Sequence, residues 1–312
     1  MTGSALRSTW RVEAAMLALV GVWGITFPIV KAAFEEIPPL PFNALRLSVA
    51  TATVLAWTWA TGRRLPLSGP VALQVAALGV VGHTCYQLAF VLGLARTTAG
   101  HSALILATIP LFVAALSAIG RIEPVRPRTW AGIVLALAGV ALLVGWGNPA
   151  QAGRGMLAGD LLTLLASLCW AVYTVAGRPL LARTGALELT ALSMAAGTVP
   201  LVAVALPDLA VLPWARLTWR AWGAVAFSGV LAVGAGYVVW YLSVQALGTS
   251  RTAAYTLLIP VVAVVAAWAG LGEVLHLRQV VGAAAVLAGV GLTRSTEGPA
   301  PASRAAADGQ MT

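Results

Sequence analysis

Long runs of apolar residues alternate with short polar segments along almost the whole chain. Each run is close to the roughly 20 residues that a helix needs to cross the hydrocarbon core of a bilayer. The runs lack the strict alternation of membrane β-strands, and a backbone in lipid must satisfy its own hydrogen bonds, so the pattern predicts helices. Ten transmembrane spans are predicted, near residues 14–34, 40–60, 70–94, 100–119, 128–146, 157–176, 187–206, 220–245, 251–271 and 277–293.

The second half of the chain repeats the first. At an offset of 150 residues the equivalent pairs include Ile109 with Ile259, Pro110 with Pro260, Gly132 with Gly282, and Gly139 with Gly289. Nearer the start of each half the offset is 147, which pairs Glu13 with Asp160, Trp23 with Trp170, and Lys31 with Arg178. Each repeat holds five predicted spans, and an odd number of spans leaves the second repeat facing the opposite way. The predicted fold class is therefore an all-α membrane protein with ten transmembrane helices arranged as two inverted five-helix repeats.

The predicted domains are repeat 1 at residues 13–146, repeat 2 at residues 157–293, and a disordered cytoplasmic tail at residues 295–312. The tail is rich in Ala, Pro, Gly and Ser, which gives it little apolar surface to bury. The first apolar run is full length, so it is expected to remain as a helix and not to be a cleaved signal. Cys85 and Cys169 fall inside spans without disulfide or metal-site spacing, and both are expected to be core residues.

Composition and charge support a location in the membrane. The chain is 60% hydrophobic and 9% charged, with a net charge of +9. Twelve of the 19 Lys and Arg residues fall on one side of the predicted spans and six on the other, while Arg46 lies within a span. Positive residues favour the cytoplasmic side, so both termini are predicted to be cytoplasmic. The positive charge then reflects loop bias and attraction to membrane lipid, and no nucleic-acid partner is expected.

Short motifs recur at matching places in the two halves. Repeat 1 carries Trp23-Gly24-Ile25-Thr26-Phe27 and a stretch from Pro41 to Arg46, and repeat 2 carries Trp170-Ala171-Val172-Tyr173-Thr174. The order of these motifs resembles two copies of the EamA domain of the drug/metabolite transporter superfamily. This resemblance implies a ten-helix inner-membrane carrier of amino acids or other small metabolites, commonly an exporter. It does not single out a substrate, because family members with different cargo share these elements.

Polar and aromatic residues form a stripe on the third predicted span. His83, Tyr86, Gln87 and Phe90 recur at helical spacing, and Tyr237 and Trp240 hold the equivalent places of Gln87 and Phe90. Inverted repeats place a substrate site at their shared interface near mid-bilayer, so these stripes are expected to line a chamber. Each side chain alone could instead pack a core or join two helices. The predicted substrate-binding residues are Trp23, Thr26, Arg46, His83, Tyr86, Gln87, Trp170, Tyr173, Tyr237 and Trp240.

Arg46 is a candidate for binding a substrate carboxylate. A charged side chain within a span is costly enough to suggest function, and guanidinium offers a planar fork of donors. The alternative is that Arg46 extends toward the interface near its helix end. Its equivalent in repeat 2 is Ser193, so the predicted cavity is electrically asymmetric.

Pro110 and Pro260 are predicted to kink their helices in mid-span, as hinges or as static bends. Gly132 with Gly139, and their equivalents Gly282 with Gly289, predict close helix packing within or between protomers. Two pairs of carboxylates lie at span ends, where they could cap helices or form part of a gate. Glu13 and Asp160 are expected to start helices, and Glu123 and Glu273 to end them.

The chemistry that would mark other functions is missing from the sequence. No HExxH, GxSxG or GxxxxGK[ST] motif is present, so neither a cofactor nor a metal is expected. A membrane-integral enzyme acting on a lipid or small amphipathic substrate is the alternative to a carrier. Proton coupling and facilitated diffusion both remain open, with His83 the one histidine well inside a span. The expected partners are a small-molecule substrate and membrane lipid, with the protein a monomer or homodimer.

Overall fold

The structure is a computed structural model that describes residues 3–65, 69–97, 99–144, 154–262, 265 and 277–294. Every regular element within these residues is helical. The predicted tail, residues 295–312, lies outside the described residues. The α-helices are α1 (Gly3–Ala33), α2 (Pro39–Ala60), α3 (Gly69–Gly79), α4 (Tyr86–Arg96), α5 (Ala99–Leu106), α6 (Ile109–Ile119), α7 (Pro127–Val144), α8 (Arg154–Thr184), α9 (Ala186–Ala210), α10 (Trp219–Phe227), α11 (Gly236–Leu247), α12 (Thr249–Ala254) and α13 (Leu277–Arg294).

Several helical stretches are long and apolar enough to cross a bilayer. Within the described ranges six meet this condition: Trp10–Ala33, Gly69–Arg96, Ser102–Ile119, Met156–Thr184, Ala186–Ala210 and Trp219–Leu247. Two shorter apolar helices, Pro127–Leu142 and Val280–Thr293, accompany them. The chain is therefore a multi-pass membrane protein.

The outside of the bundle is apolar, as lipid requires. Leu73, Val199 and Leu287 are among its exposed side chains. Cys85 is exposed as well, whereas Cys169 is buried. The prediction of two core cysteines is therefore wrong for Cys85. It precedes the inward-facing Tyr86 by one residue, which is about 100° around a helix.

Two long spans each contain a π-helical segment in the middle. Val80–Cys85 joins α3 to α4, and Ser228–Ala235 joins α10 to α11, at positions that the 150-residue offset makes equivalent. Glycines permit neighbouring elements to approach both segments closely. A Cβ on Gly82 would collide with the Tyr173 ring, and one on Gly229 would lie 2.8 Å from the Arg46 carbonyl oxygen. Both π segments therefore lie against the helices that carry candidate site residues.

The helix predicted over residues 100–119 is broken. α5 ends at Leu106, a turn follows at residues 107–108, and Pro110 falls in the first turn of α6. A proline is well tolerated there, since the first N–H groups of a helix lack intrahelical partners. In repeat 2 a 3₁₀ turn, Tyr255–Leu258, precedes the helical residues 259–262 that include Pro260. The prolines thus follow breaks in the helix rather than kinking a continuous one.

The glycines of α7 and α13 bring these helices into close contact within one chain. A Cβ on Gly132 would lie 2.6 Å from the Gly289 carbonyl oxygen, and one on Gly139 would lie 2.7 Å from that of Gly282. Along α7 the contacts advance from residue 132 to 139, while along α13 they go back from 289 to 282. The two helices therefore run antiparallel. Since Gly132 is equivalent to Gly282 and Gly139 to Gly289, the two contacts are reciprocal, as across a two-fold axis.

Other equivalent residues also meet across the centre. Thr51 and Thr198, which are 147 residues apart, have their hydroxyl oxygens 2.7 Å apart. Gln87 Nε2 donates to the Tyr237 hydroxyl at 2.9 Å, and these residues are 150 apart. Both separations equal the repeat offsets, so the two halves contact each other through the same positions.

One end of the bundle, here named the Lys31 end, is joined by hydrogen bonds that involve Lys31, Asp160 and Glu36. Lys31 Nζ donates to the Thr97 carbonyl oxygen at 2.8 Å, and the Thr97 hydroxyl donates to Asp160 at 2.6 Å. Glu36 accepts from the backbone N–H and the hydroxyl of Thr218, each at 2.8 Å. These hydrogen bonds hold the pKa of the Glu36 carboxyl below its ordinary value.

The opposite end, here named the Glu123 end, carries ion pairs. They include the pairs of Arg63 with Glu188, Arg178 with Glu123, and Arg251 with Glu13. Glu13 lies within α1 and accepts a hydrogen bond from Arg251 of α12. Its equivalent, Asp160, lies within α8 at the Lys31 end and accepts from Thr97, the residue after α4. The prediction that they start helices is therefore wrong, because both helices begin several residues earlier.

Candidate functional site

A central cavity lies where the two halves meet. The space free of protein atoms at this cavity is about 700 Å³, open solvent included. Its walls come from α1, α2, α4, α5, α6, α8, α11, the second π segment and the helical turns before Pro260. The lining residues are Trp23, Thr26, Phe27, Arg46, Tyr86, Gln87, Phe90, Ala103, Leu106, Ala107, Ile109, Trp170, Ala232, Val233, Tyr237, Thr256 and Ile259.

Aromatic rings form much of the cavity wall. Trp170 is at the centre, with ring centroids 5.9 Å from Trp23, 4.9 Å from Tyr86 and 4.7 Å from Tyr237. Trp23 is fixed by a 2.8 Å hydrogen bond from its Nε1 to the Ala232 carbonyl oxygen in the π segment. Trp23 and Trp170 are equivalent residues, so each repeat contributes one tryptophan to this part of the cavity wall.

Arg46 is the one cationic residue among the described lining residues, and only 2% of it is exposed. Its Nε donates to Asn43 Oδ1 at 2.8 Å, and one terminal nitrogen donates to Gln87 Oε1 at 2.5 Å. The guanidinium carbon also lies 5.6 Å from the centre of the Phe90 ring. Arg46 is therefore held inside the bundle and does not extend toward the membrane interface.

Neutral side chains hold Arg46 in position. Asn43 Nδ2 donates to the Gln87 carbonyl oxygen at 3.0 Å, which fixes Asn43 while its oxygen accepts from Arg46. Gln87 accepts from Arg46 through its oxygen and donates to Tyr237 through its nitrogen. Residues from α2, α4 and α11 thus form one buried chain of hydrogen bonds. No acidic residue takes part in it among the described residues.

Three of the predicted site residues lie one layer behind the cavity wall. His83 Nε2 is 3.2 Å from both the Tyr173 hydroxyl and the Ser193 hydroxyl, while Nδ1 is buried without a described partner. Trp240 Nε1 donates to the Thr174 hydroxyl at 3.1 Å. The His83 ring stacks on Tyr237 at 5.3 Å, which connects this layer to the cavity. The other seven line the cavity: Trp23, Thr26, Arg46, Tyr86, Gln87, Trp170 and Tyr237.

Some residues of the site were not predicted from the sequence. Phe27, Thr256 and Ile259 line the cavity, and Asn43 holds Arg46. Asn43 could have been found, because it precedes Arg46 by three residues and so shares its helix face. Thr256 is equivalent to Leu106, which lies in the same wall, so the 150-residue offset also contained a signal for this position.

The cavity lies between the middle of the bundle and the Lys31 end. Phe27 and Phe90 belong to the parts of α1 and α4 that lead to that end. On the other side of the cavity the side chains are packed, and the Tyr241 hydroxyl donates to the Tyr173 carbonyl oxygen at 2.8 Å. Tyr241 and Tyr173 are both fully buried.

Glu123 completes the closure at its own end. Besides Arg178, it accepts from the backbone N–H groups of Thr249 at 3.0 Å and Ser250 at 2.8 Å, at the start of α12. Burial raises the pKa of the Glu123 carboxyl, but the hydrogen bonds from Ser250 and Thr249 and the charge of Arg178 outweigh it and hold this pKa below its ordinary value. One carboxylate therefore joins the segment after α6 to α8 and α12.

Membrane-spanning helices around one central cavity, with a packed layer at one end, define the class of multi-pass membrane transporters. The chain belongs to the EamA-like transporter family, whose family model matches residues 10–145 and again residues 157–295. The described ranges contain no cluster of His, Cys, Asp or Glu that could hold a metal ion.

Similar proteins carry transporter names. An uncharacterized transporter of Archaeoglobus fulgidus is 30% identical over 276 residues, which are 88% of this chain and 96% of that protein. A probable terminal-alkyne amino-acid exporter of Streptantibioticus cattleyicolor is 29% identical over 279 residues, 88% of this chain and 91% of that protein. One crystal structure superposes with a TM-score of 0.75 at 20% identity, covering 91% of this chain and 97% of its own, which shows the fold alone.

Proposed function

We propose that this protein is an inner-membrane secondary transporter that exports amino acids or related small metabolites by alternating access. Ten transmembrane helices form two inverted five-helix repeats, with both termini in the cytoplasm. The observation that carries the proposal is Arg46, a buried cation with neutral partners in the wall of a central aromatic cavity.

The reciprocal contacts support the inverted repeat. α7 and α13 hold equivalent places in the two repeats and run antiparallel through their glycines. When two equivalent helices cross a membrane in opposite directions, the repeats that contain them are inverted with respect to each other. The contacts of Thr51 with Thr198 and of Gln87 with Tyr237 join equivalent residues and also support a relating axis through the centre of the bundle.

The charge distribution supports the orientation. The Glu123 end holds Arg63, Arg178 and Arg251, and belongs to the side with twelve of the Lys and Arg residues. By the positive-inside rule this end is cytoplasmic. The cavity, which lies between the middle of the bundle and the Lys31 end, is then nearer the outer side of the membrane.

Alternating access follows from applying the repeat symmetry to this structure. The Glu123 end is closed by the contacts of one repeat on the other, and Lys31 and Asp160, the equivalents of Arg178 and Glu13, lie at the Lys31 end. Exchange of conformations between the repeats would open the first end and close the second. The helix breaks before Pro110 and Pro260 and the two π segments are places where such movement can occur, and the two prolines remain our hinge candidates.

A substrate carboxylate would supply the anion that Arg46 lacks. A buried guanidinium is costly unless it is paired, and its planar donors fit a carboxylate. The aromatic walls around it suit an apolar body. Amino acids carry such a carboxylate, and the relative from Streptantibioticus cattleyicolor is named as a probable amino-acid exporter.

Purified protein in liposomes tests the proposal. A panel of radiolabelled amino acids and related carboxylates is loaded inside, and efflux and chemical identity are both followed. Efflux of an unchanged compound that requires the protein supports the carrier. Conversion of the compound without net efflux would point to the membrane-integral enzyme instead.

Arg46 variants then test the site. Arg46→Gln removes a charge-assisted contact worth about 1.5–3 kcal/mol, roughly ten- to a hundredfold in apparent affinity, and Arg46→Lys should fall between it and the parent. Arg96→Gln is the matched control, since Arg96 is exposed and donates to the Leu92 carbonyl oxygen of its own helix. Normal efflux by a correctly inserted Arg46→Gln protein would contradict a role in substrate binding.

A further inference from the structure

We propose that the substrate is a monoanionic carboxylate with an aromatic or apolar body and without a free ammonium group, such as an N-acylated or deaminated relative of an amino acid. The inference rests on the proposed transport function for the route across the membrane. It narrows the substrate class through the hydrogen-bonding character of the cavity.

The polar groups that remain available in the cavity are mainly donors. Arg46 uses two of its N–H groups on Asn43 and Gln87, and a guanidinium has five. Among the described hydrogen bonds none employs Trp170 Nε1 or the Tyr86 hydroxyl, and both residues line the cavity. The Tyr237 hydroxyl accepts from Gln87 and keeps its own proton to donate. Four lining side chains therefore each keep at least one donor that the described hydrogen bonds do not use.

The amide oxygens near this site each accept one hydrogen bond from within the protein, which leaves one lone pair on each. Gln87 Oε1 and Asn43 Oδ1 both accept from Arg46, and the Gln87 carbonyl oxygen accepts from Asn43. The hydroxyl protons of Thr26 and Thr256 go to the carbonyl oxygens of Val22 and Ala253. The cavity thus offers a carboxylate several unused donors, while it offers an ammonium group aromatic faces, hydroxyl lone pairs and the second lone pairs of carbonyl oxygens that already accept a hydrogen bond.

The charge of Arg46 works against a free α-ammonium. In an α-amino acid the ammonium is bonded to the carbon next to the carboxylate, so Arg46 would hold it within about 4–6 Å, where like charges disfavour each other. None of the described lining residues is an Asp or a Glu that could offset the second positive charge. A carboxylate alone neutralises Arg46, whereas a zwitterion adds a cation to a site that already contains one.

The aromatic wall accounts for the rest of the ligand. Trp23, Tyr86, Trp170 and Tyr237 surround the space next to Arg46, and Phe27 and Phe90 continue the wall toward the Lys31 end. Offset and edge-to-face ring contacts favour an aryl group at this position. The carboxylate at Arg46 and the ring against Trp170 would give the ligand one orientation.

Four probes that share a phenylalkyl body separate the contributions of the carboxylate, the ammonium group and the aromatic ring. They are 3-phenylpropanoate, N-acetyl-L-phenylalanine, L-phenylalanine and phenethylamine, measured by equilibrium binding to the purified full chain at pH 7. The two simple anions should bind roughly tenfold or more tightly than L-phenylalanine, because burying an unpaired ammonium is unfavourable, and phenethylamine should not bind. In Arg46→Gln the preference for the anions over L-phenylalanine should shrink to within about threefold.

Tyr86→Phe supplies a milder variant that keeps the ring and removes one donor. It should weaken 3-phenylpropanoate by a few-fold, about the effect of one hydrogen bond, and leave phenethylamine without binding. Equal or tighter binding of L-phenylalanine would overturn the inference, as would competition by phenethylamine or the absence of binding by both anions. If amino acids cross liposome membranes while the anions do not bind, the transport function stands and this inference fails. If the protein binds the anions more tightly than L-phenylalanine but moves no compound across liposome membranes, this inference is supported and the proposed transport function is contradicted.

Discussion

Glu123 is expected to control closure of the Glu123 end, which the proposed orientation places in the cytoplasm, and Glu123→Gln tests this. The carboxylate accepts from Arg178 and from the backbone N–H groups of Thr249 and Ser250. Glutamine has a similar size but no charge, and its NH₂ group cannot accept from either backbone donor. The substitution therefore weakens the joint between α8, α12 and the segment after α6 without opening a cavity in the protein.

The size of the effect follows from these contacts. Hydrogen bonds to a charged group contribute about 1.5–3 kcal/mol each when removed. The Arg178 side chain is 32% exposed and that of Glu123 11%, so water screens part of the ion pair and the lower half of this range is appropriate. If the contacts exist only in the closed state, the population with an open cytoplasmic end should rise roughly ten- to thirtyfold.

Thiol labelling from the cytoplasmic side measures that population. Thr252 is fully buried at the Glu123 end, and cysteine is close to threonine in size. Thr252→Cys is introduced with Cys85 and Cys169 replaced by serine, in inside-out vesicles treated with an impermeant thiol reagent. The labelling rate should rise about tenfold or more when Glu123→Gln is added.

Arg63→Gln is the matched control for this experiment. It also removes an ion pair at the Glu123 end, but the Arg63 side chain is 52% exposed, and such pairs contribute about 0.2–1 kcal/mol. Its effect on labelling should stay below about fivefold. An unchanged labelling rate in Glu123→Gln, or a larger change in Arg63→Gln, would refute the assignment of Glu123 to closure.

Three further outcomes are expected. Because the pKa of Glu123 lies below its ordinary value, its contacts persist above that value and are lost as the pH falls through the lowered pKa, so Thr252→Cys labelling, divided by the labelling rate of the denatured protein at the same pH to correct for thiolate content, should be flat at neutral pH and rise only in acid. Gly139→Leu should lower the thermal midpoint through about 1–3 kcal/mol of overpacking against α13, whereas Gly291→Leu, with open space around it, should not; equal midpoints would contradict the α7–α13 contact. Reporters fused at Thr312 and in the 147–155 loop should give cytoplasmic and external signals, and matching signals would contradict the inversion.

The helices could largely be predicted from the sequence because lipid imposes a length and an apolar character on each span. The predicted span at 40–60 agrees with α2 (Pro39–Ala60), and that at 187–206 with α9 (Ala186–Ala210). Deviations occur where a helix continues beyond the apolar run, as α8 does to Thr184. The π segments could not be predicted, since one widened turn scarcely changes the spacing of apolar residues.

The candidate site was predictable where the repeat fixed both partners. Trp23 and Trp170, or Gln87 and Tyr237, meet because each pair occupies equivalent places near one axis. Depth within the bundle was not predictable in this way. His83 shares a helix face with Tyr86 and Gln87, yet the π segment and the packing of Tyr173 place it behind the wall.

Long-range polar partners were also beyond the sequence pattern. Glu123 and Arg178 are 55 residues apart, and each was visible only as a charged residue at the end of a span. Their contact depends on how α8 packs beside α6 and α12. Asn43 is a different case, because its spacing of three residues from Arg46 places both on one helix face, although that spacing does not by itself show that the two side chains bond.

The central claim is that the cavity at Arg46 is reached alternately from the two sides of the membrane. Thr26 lines this cavity, and Thr26→Cys without Cys85 and Cys169 places one thiol there. An impermeant thiol reagent is applied to right-side-out and to inside-out vesicles, with and without the transported carboxylate. The thiol should react from both sides, and substrate should protect it on both. Reaction from one side alone under every condition, including in Glu123→Gln, would contradict alternating access.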